Sequence, residues 1–274
     1  LAGRAAPTGP QVAGLRRLGA VVAGTLVLAA LTPTQVLAGA WAQPKGKGQA
    51  IVKYERLSAD TGFDTAGEER DLPGRRRDAT LGLFAEYGVA DRLTLQLKAD
   101  WQDGEDAFVD YSGRGPIEIG ATWQVWRDDR NAVSLYGGYT QAGEGRNAGY
   151  AAPGVGDHDW EARVSVGRSL GEMGERWGMD RAFVELQAAR RLRDGLPDET
   201  RIDATAGARL GEDWMVLAQA FGGAADGGAR WLSLEASVVR DFGAWSVQAG
   251  WRQTVAGQEI PISRGPVLSI WRRF

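Results

Sequence analysis

The feature that most restricts what this chain can fold into is a two-residue period that returns in blocks of about ten residues. In Leu93-Thr94-Leu95-Gln96-Leu97-Lys98-Ala99-Asp100-Trp101 every odd position is apolar and every even one polar or charged. An extended backbone turns such a block into a ribbon with one oily face and one wet face. The same period runs through Ala50/Val52/Tyr54, Ala79/Leu81/Leu83/Ala85/Tyr87, Ile117/Ile119/Ala121/Trp123/Val125 and Val133/Leu135/Gly137/Tyr139. It continues through Trp160/Ala162/Val164/Val166, Ala182/Val184/Leu186/Ala188, Ile202/Ala204/Ala206/Ala208/Leu210 and Trp214/Val216/Ala218/Ala220. Leu232/Leu234/Ala236/Val238, Trp245/Val247/Ala249/Trp251 and a closing Leu268/Ile270 to Phe274 bring the count to about twelve strands.

Beyond residue 40 no apolar run approaches the roughly 18 residues of a spanning helix, and mean hydropathy is negative. The connections alternate instead: short ones near 88–92, 127–131, 211–213 and 240–243, and long ones near 59–75, 102–114, 141–157, 191–199, 222–229 and 255–265. The connection near 170–178 is of medium length. Trp101, Trp160 and Trp251 fall at strand ends facing the long connections, while Trp123, Trp214 and Trp245 face the short ones. Two separated tryptophan rows suit the two edges of an apolar membrane band better than they suit one soluble core. Strands in hydrocarbon must pair every backbone N–H and C=O, so their sheet has to close. The expected fold is therefore all-β, a closed antiparallel up-and-down transmembrane β-barrel occupying residues 41–274. Its wet face is expected to carry Glu86, Gln96, Lys98, Glu118, Gln124, Glu161, Arg163 and Glu185, followed by Gln187, Arg201, Asp203, Arg209, Gln219, Glu235, Gln248 and Arg252, all lining the lumen.

Ahead of the barrel, Arg16-Arg17 precede the uncharged run Leu18 to Leu31, then Pro33 and the small residues Ala38-Gly39-Ala40. That order is the order of a secretory signal peptide, expected over residues 1–40, with Ala38 and Ala42 as further small residues that suit a processing site. The chain has 32 basic and 35 acidic residues, and residues 1–40 hold three arginines and no acid, so the remainder is formally −6. Such a balance argues against nucleic acid as a partner. With no cysteine, neither a disulfide framework nor a thiolate metal site exists.

The last strand, Pro266-Val267-Leu268-Ser269-Ile270-Trp271-Arg272-Arg273-Phe274, resembles the C-terminal signature of bacterial outer-membrane β-barrel proteins. Leu268, Ile270 and Phe274 match its alternating apolar pattern and terminal Phe, while Arg272 stands where an apolar or aromatic residue is usual. The resemblance implies an outer-membrane location, contact with outer-membrane lipid and lipopolysaccharide, and Phe274 as the signal read by the barrel-assembly machinery. The chain is also loosely similar to twelve-strand barrels proposed to carry hydrophobic compounds.

His158, the only histidine, sits in Asp157-His158-Asp159 where a long connection meets a strand. An imidazole held by a carboxylate is a general base, and Tyr139-Thr140-Gln141 resembles a fragment of the outer-membrane phospholipase pattern. The His-x-Ser-Asn-Gly segment that should accompany it is absent. Gly143-Glu144-Gly145 and Gly154-Val155-Gly156 lack the following helix of a phosphate loop, and Asp128-Asp129 and Asp157/Asp159 lack calcium-loop spacing. No catalytic residue, cofactor or metal is expected. Arg75-Arg76-Arg77 suits lipopolysaccharide phosphates or a solvated rim. The leading functional expectation is a passive channel or small-molecule transporter. The alternatives are a non-conducting structural or surface-interaction barrel and a rim hydrolase using His158.

Overall fold

Alternating side chains with no helical period leave the backbone only strand pairing, and the computed structural model shows where that pairing leads. It describes residues 39–108, 110–143, 156–171 and 181–274, all within the compact unit Val36–Phe274. Residues 1–38 of the expected signal peptide lie outside the described residues. Twelve strands follow in order: β1 Gly48–Phe63, β2 Glu69–Ala90, β3 Leu93–Glu105, β4 Asp110–Arg127, β5 Asn131–Gln141 and β6 His158–Ser169. The second half is β7 Arg181–Arg193, β8 Glu199–Leu210, β9 Trp214–Ala225, β10 Arg230–Phe242, β11 Trp245–Gln258 and β12 Arg264–Arg273. A two-residue strand, Ile260–Pro261, pairs with the end of β1. The described residues contain no α-helix.

Each strand pairs antiparallel with its sequence neighbours, and β1 pairs with both β2 and β12, so the sheet closes and no edge is left. At the seam Gly48 and Phe274 exchange backbone hydrogen bonds of 2.9 and 3.0 Å. The outward face is apolar all round, with Val52, Leu81, Leu95, Ile119, Leu135, Val166, Leu186, Ile202, Leu234 and Ile270 exposed. Left in water, each would forgo roughly 1.5–3 kcal/mol of burial; hydrocarbon removes that cost.

Two sequence expectations need correcting. The long connections are mostly short loops, because paired strands run far past the apolar band: β1 and β2 stay in register out to Phe63 opposite Glu69, leaving only residues 64–68 as loop. There the strands stand clear of lipid, so no apolar alternation marks them. The second correction is at Val125, where a bulge between Gln124 and Trp126 shifts the parity of β4. It brings Trp126 to the exposed outer face in place of Val125.

The inner face is not uniformly wet. Met215, Leu217, Val239 and Trp271 pack together near the short-turn rim, with Ile51 and Phe183 against them. Inward rings lie on glycines of their own and neighbouring strands: a Cβ on Gly120 or Gly138 would stand 2.3 or 2.2 Å from the Tyr136 hydroxyl, and one on Gly207 2.2 Å from the Phe183 ring. Glycine is required at these positions by that close approach.

Candidate functional site

Inward charged residues at mid-lumen form two networks on opposite walls. On the first wall, built by β3 to β7, Lys98 Nζ donates to Glu118 Oε1 at 2.7 Å and the Tyr136 hydroxyl donates to the same oxygen at 2.7 Å. Arg191 bridges onward, donating to Glu118 Oε2 at 3.1 Å and to Glu161 Oε2 at 2.6 Å. Arg163 donates through Nε to Glu161 Oε1 at 2.9 Å, and its guanidinium lies 4.8 Å from the Tyr136 ring centre. Through Nη1 it donates to Gln187 Oε1 at 3.2 Å.

On the second wall, built by β1 and β9 to β12, Arg252 donates to Glu235 Oε2 at 2.6 Å and to Glu55 Oε2 at 2.7 Å, and its guanidinium lies 4.4 Å from the Phe221 ring centre. Lys53 Nζ lies 3.3 Å from Glu55 and 3.5 Å from Glu235. Gln248 donates to Ser237 at 2.8 Å and accepts from the Ser269 hydroxyl at 2.6 Å. Among the described residues the ion pairs of Lys53, Lys98, Arg163, Arg191 and Arg252 each stay within their own wall. Between them lies a cavity of about 580 Å³ lined by Lys53, Glu55, Lys98, Glu118, Arg163, Arg191, Arg201, Glu235 and Arg252.

The segment Gly39 to Lys47 enters this lumen at the short-turn rim. There the Gly46 N–H donates to the Gly88 carbonyl at 2.8 Å and the Gly88 N–H donates to the Lys47 carbonyl at 2.9 Å, anchoring it. From that anchor it crosses the floor as a strap. The Gln43 N–H donates to Thr94 on β3 at 2.9 Å, and the Gln43 side chain donates to Glu86 on β2. Trp41 meets Phe183 of β7 edge-on at 6.3 Å and covers Gly167 of β6. At Ala40 the carbonyl accepts from Gln124 at 3.1 Å and Ser134 at 2.6 Å, and its N–H donates to Glu185 on β7 at 2.9 Å. Ala40, Ala42 and Gln43 are buried.

The other residues expected on the wet face take varied positions. Gln96, Gln187, Gln219 and Glu185 line the cavity; Glu86 and Gln124 hold the strap. Asp203 is half-buried on β8. Arg209 sits lower, donating to Asp241 at 2.8 Å, where Arg273 also donates at 3.0 Å. Reading for lipid-facing alternation missed Lys53, Glu55, Tyr136 and Arg191; only the glycines Gly120 and Gly138 around Tyr136 signalled an inward ring.

On the outer surface Trp101, Trp123, Trp160, Trp214, Trp245 and Trp251 are all exposed. Trp123 lies opposite Leu93, eight residues before Trp101 on β3, which at about 3.3 Å per residue and about 40° of tilt separates the rows by about 20 Å. Arg272 stacks on Trp245 and Arg240 on Trp214, each at 5.1 Å. Arg272 thus occupies a lipid-facing position by lying along an interfacial ring.

His158 also faces outward, stacked on Tyr139 with Nδ1 2.7 Å from its hydroxyl, while Asp159 turns inward and is fully buried. Among the described residues no carboxylate is hydrogen-bonded to the imidazole. Asp128 accepts from the N–H groups of Arg130 and Asn131 at 2.8 and 2.7 Å, and these bonds hold its carboxyl below the usual range. Arg75 and Arg77 pair with Asp60 and Glu105, and with Arg56, Arg264 and Trp251 they surround a surface hollow above the band.

No protein-family model matches the sequence, and no curated protein matches it. Among solved structures the barrel is similar to that of an outer membrane channel from Pseudomonas putida F1, with 16% identity and a TM-score of 0.63 over 88% of this chain and 100% of that one. It is similar also to KdgM porin, solved alone and in complex with disordered oligogalacturonate, with 6% identity and a TM-score of 0.52 over 82% of this chain and 99% of that one. At these identities the likeness establishes a shared fold, a closed β-barrel of the kind found in outer-membrane channels.

Proposed function

We propose that this protein is a passive channel for small polar solutes in a bacterial outer membrane, with its short turns in the periplasm and its protruding hairpins outside. One observation carries the reading: each wall satisfies its own charges, so the lumen keeps a polar passage where ion pairs meeting in the middle would have closed it. Fixed charges of both signs facing one another across about 580 Å³ favour small solutes that are ionic or dipolar over apolar ones. That preference supports a polar cargo over the hydrophobic compounds suggested by the looser resemblance.

The exposed apolar band, the two tryptophan rows and the shared fold support placement in the outer membrane. The cluster of Arg56, Arg75, Arg77 and Arg264 above that band suits lipopolysaccharide phosphates, and Phe274, exposed at the seam, suits recognition by the assembly machinery. The strap across the floor favours a second reading, a barrel that does not conduct and serves through its outer loops.

Single-channel recording in a planar bilayer separates the two. Small discrete steps are expected, with Arg252→Ala shifting the preference toward cations. A protein that is folded by its heat-shifted gel mobility and electrically silent would overturn the channel in favour of the second reading.

A further inference from the structure

Glu185 and Glu86 face the lumen floor from β7 and β2, and both are buried. Among the described residues neither has a cationic side chain within ion-pair distance. Their hydrogen bonds come from neutral donors: Gln43 and Gln49 to Glu86, and Gln187 with the Ala40 N–H to Glu185. The Arg163 guanidinium acts on Glu185 only from beyond ion-pair distance, and a carboxylate removed from water without a close counter-charge is costly, so the floor calls for a nearer cation than the side chains supply.

The strap places a candidate there. The adjoining Ala40 N–H donates to Glu185 Oε2 at 2.9 Å, which keeps the Gly39 nitrogen, one residue away, beside that carboxylate, and a Cβ on Gly39 would lie 3.0 Å from the Gln187 amide. Immediately before it stand Val36-Leu37-Ala38, with small or short residues at the two positions a leader peptidase inspects. Removing residues through Ala40 instead would strip Gln124 and Ser134, each 1% exposed, of the carbonyl they share.

We infer that the leader is removed between Ala38 and Gly39, and that the α-ammonium so created is the ion-pair partner of Glu185, fastening the strap across the floor of the lumen. In that step the Ala38–Gly39 amide bond breaks and one water is consumed. Ala38 leaves as a carboxylate, and the Gly39 nitrogen keeps its hydrogen and gains two, becoming the ammonium. A processing event thereby supplies a charge that no codon does, and one that exists only in the mature protein. The inference rests on the proposed export of the chain, but not on conduction.

The experiment uses the full chain, expressed in a Gram-negative host and purified folded from its outer membrane. N-terminal sequencing and intact mass are expected to give Gly39 as the first residue; a chain starting at Trp41 or Gln43, or an unprocessed one, overturns the inference. A zero-length carbodiimide, which couples only amines and carboxylates already in contact, is expected to yield an amide between the Gly39 nitrogen and Glu185. A folded wild-type protein coupled elsewhere but not there also overturns it.

A third measurement is acylation of the α-amine at neutral pH. An ion pair that favours the ammonium by about one pK unit slows labelling about tenfold relative to the urea-unfolded chain, and Glu185→Gln is expected to abolish most of that protection. Equal labelling of folded and unfolded wild type overturns the pairing. All three readouts are independent of conductance, so an electrically silent protein that passes them sinks the channel and leaves this inference standing.

Discussion

Tyr136 shows how a single inward side chain organises a wall. Its hydroxyl donates to Glu118, its ring underlies the Arg163 guanidinium, and Gly120 and Gly138 leave it room. Tyr136→Phe removes one of four donors that hold a buried carboxylate and is expected to cost about 1–2 kcal/mol, read as a lower urea midpoint in lipid vesicles. Gly138→Val places a side chain inside the ring's position, so no heat-shifted folded band is expected. Asp128 acts differently, as the clasp of a short turn. Its carboxyl is held low by N–H donors, so its contribution is complete above the ordinary aspartate value of 3.8 and fades as pH falls through the depressed one. Hydrogen exchange at Arg130 and Asn131 should quicken only in that acid range, and Asp128→Ala should bring the faster exchange to neutral pH.

At the level of strands, what the sequence made legible is set by lipid. Strand order, pairing and facing follow from alternation because hydrocarbon penalises any polar side chain on the outer face. Where that penalty stops, the alternation stops while the pairing goes on, which is why the β1–β2 hairpin beyond Ala59 and the Arg191 end of β7 read as loop. A bulge defeats the reading within the band, since one extra residue at Val125 reverses every later assignment until the turn. The strap escaped for another reason: its small residues serve a processing site and a tight lumen equally well, and periodicity cannot distinguish them. Its removal is a direct test of its role. Deleting residues 39–43 is expected to raise conductance several-fold while leaving the barrel's heat-shifted mobility intact; unchanged steps would show that the constriction lies elsewhere.

For the whole molecule, stability comes from closure more than from any core. The buried apolar cluster is small, and the outward apolar surface is satisfied by lipid, so every strand depends on its two neighbours for its backbone bonds. Loss of β12 would expose the edges of both β1 and β11, and truncation before Arg264 is expected to abolish the folded gel band altogether. The clasp between Gly48 and Phe274 also has a consequence in time. The first strand to leave the ribosome waits for the last before its second edge is covered, and until then the outward leucines and tryptophans have neither lipid nor partner. Folding therefore cannot keep pace with synthesis. This chain is committed to a journey as an unfolded polymer, and its fate on the way rests with whatever holds it apart from its own kind.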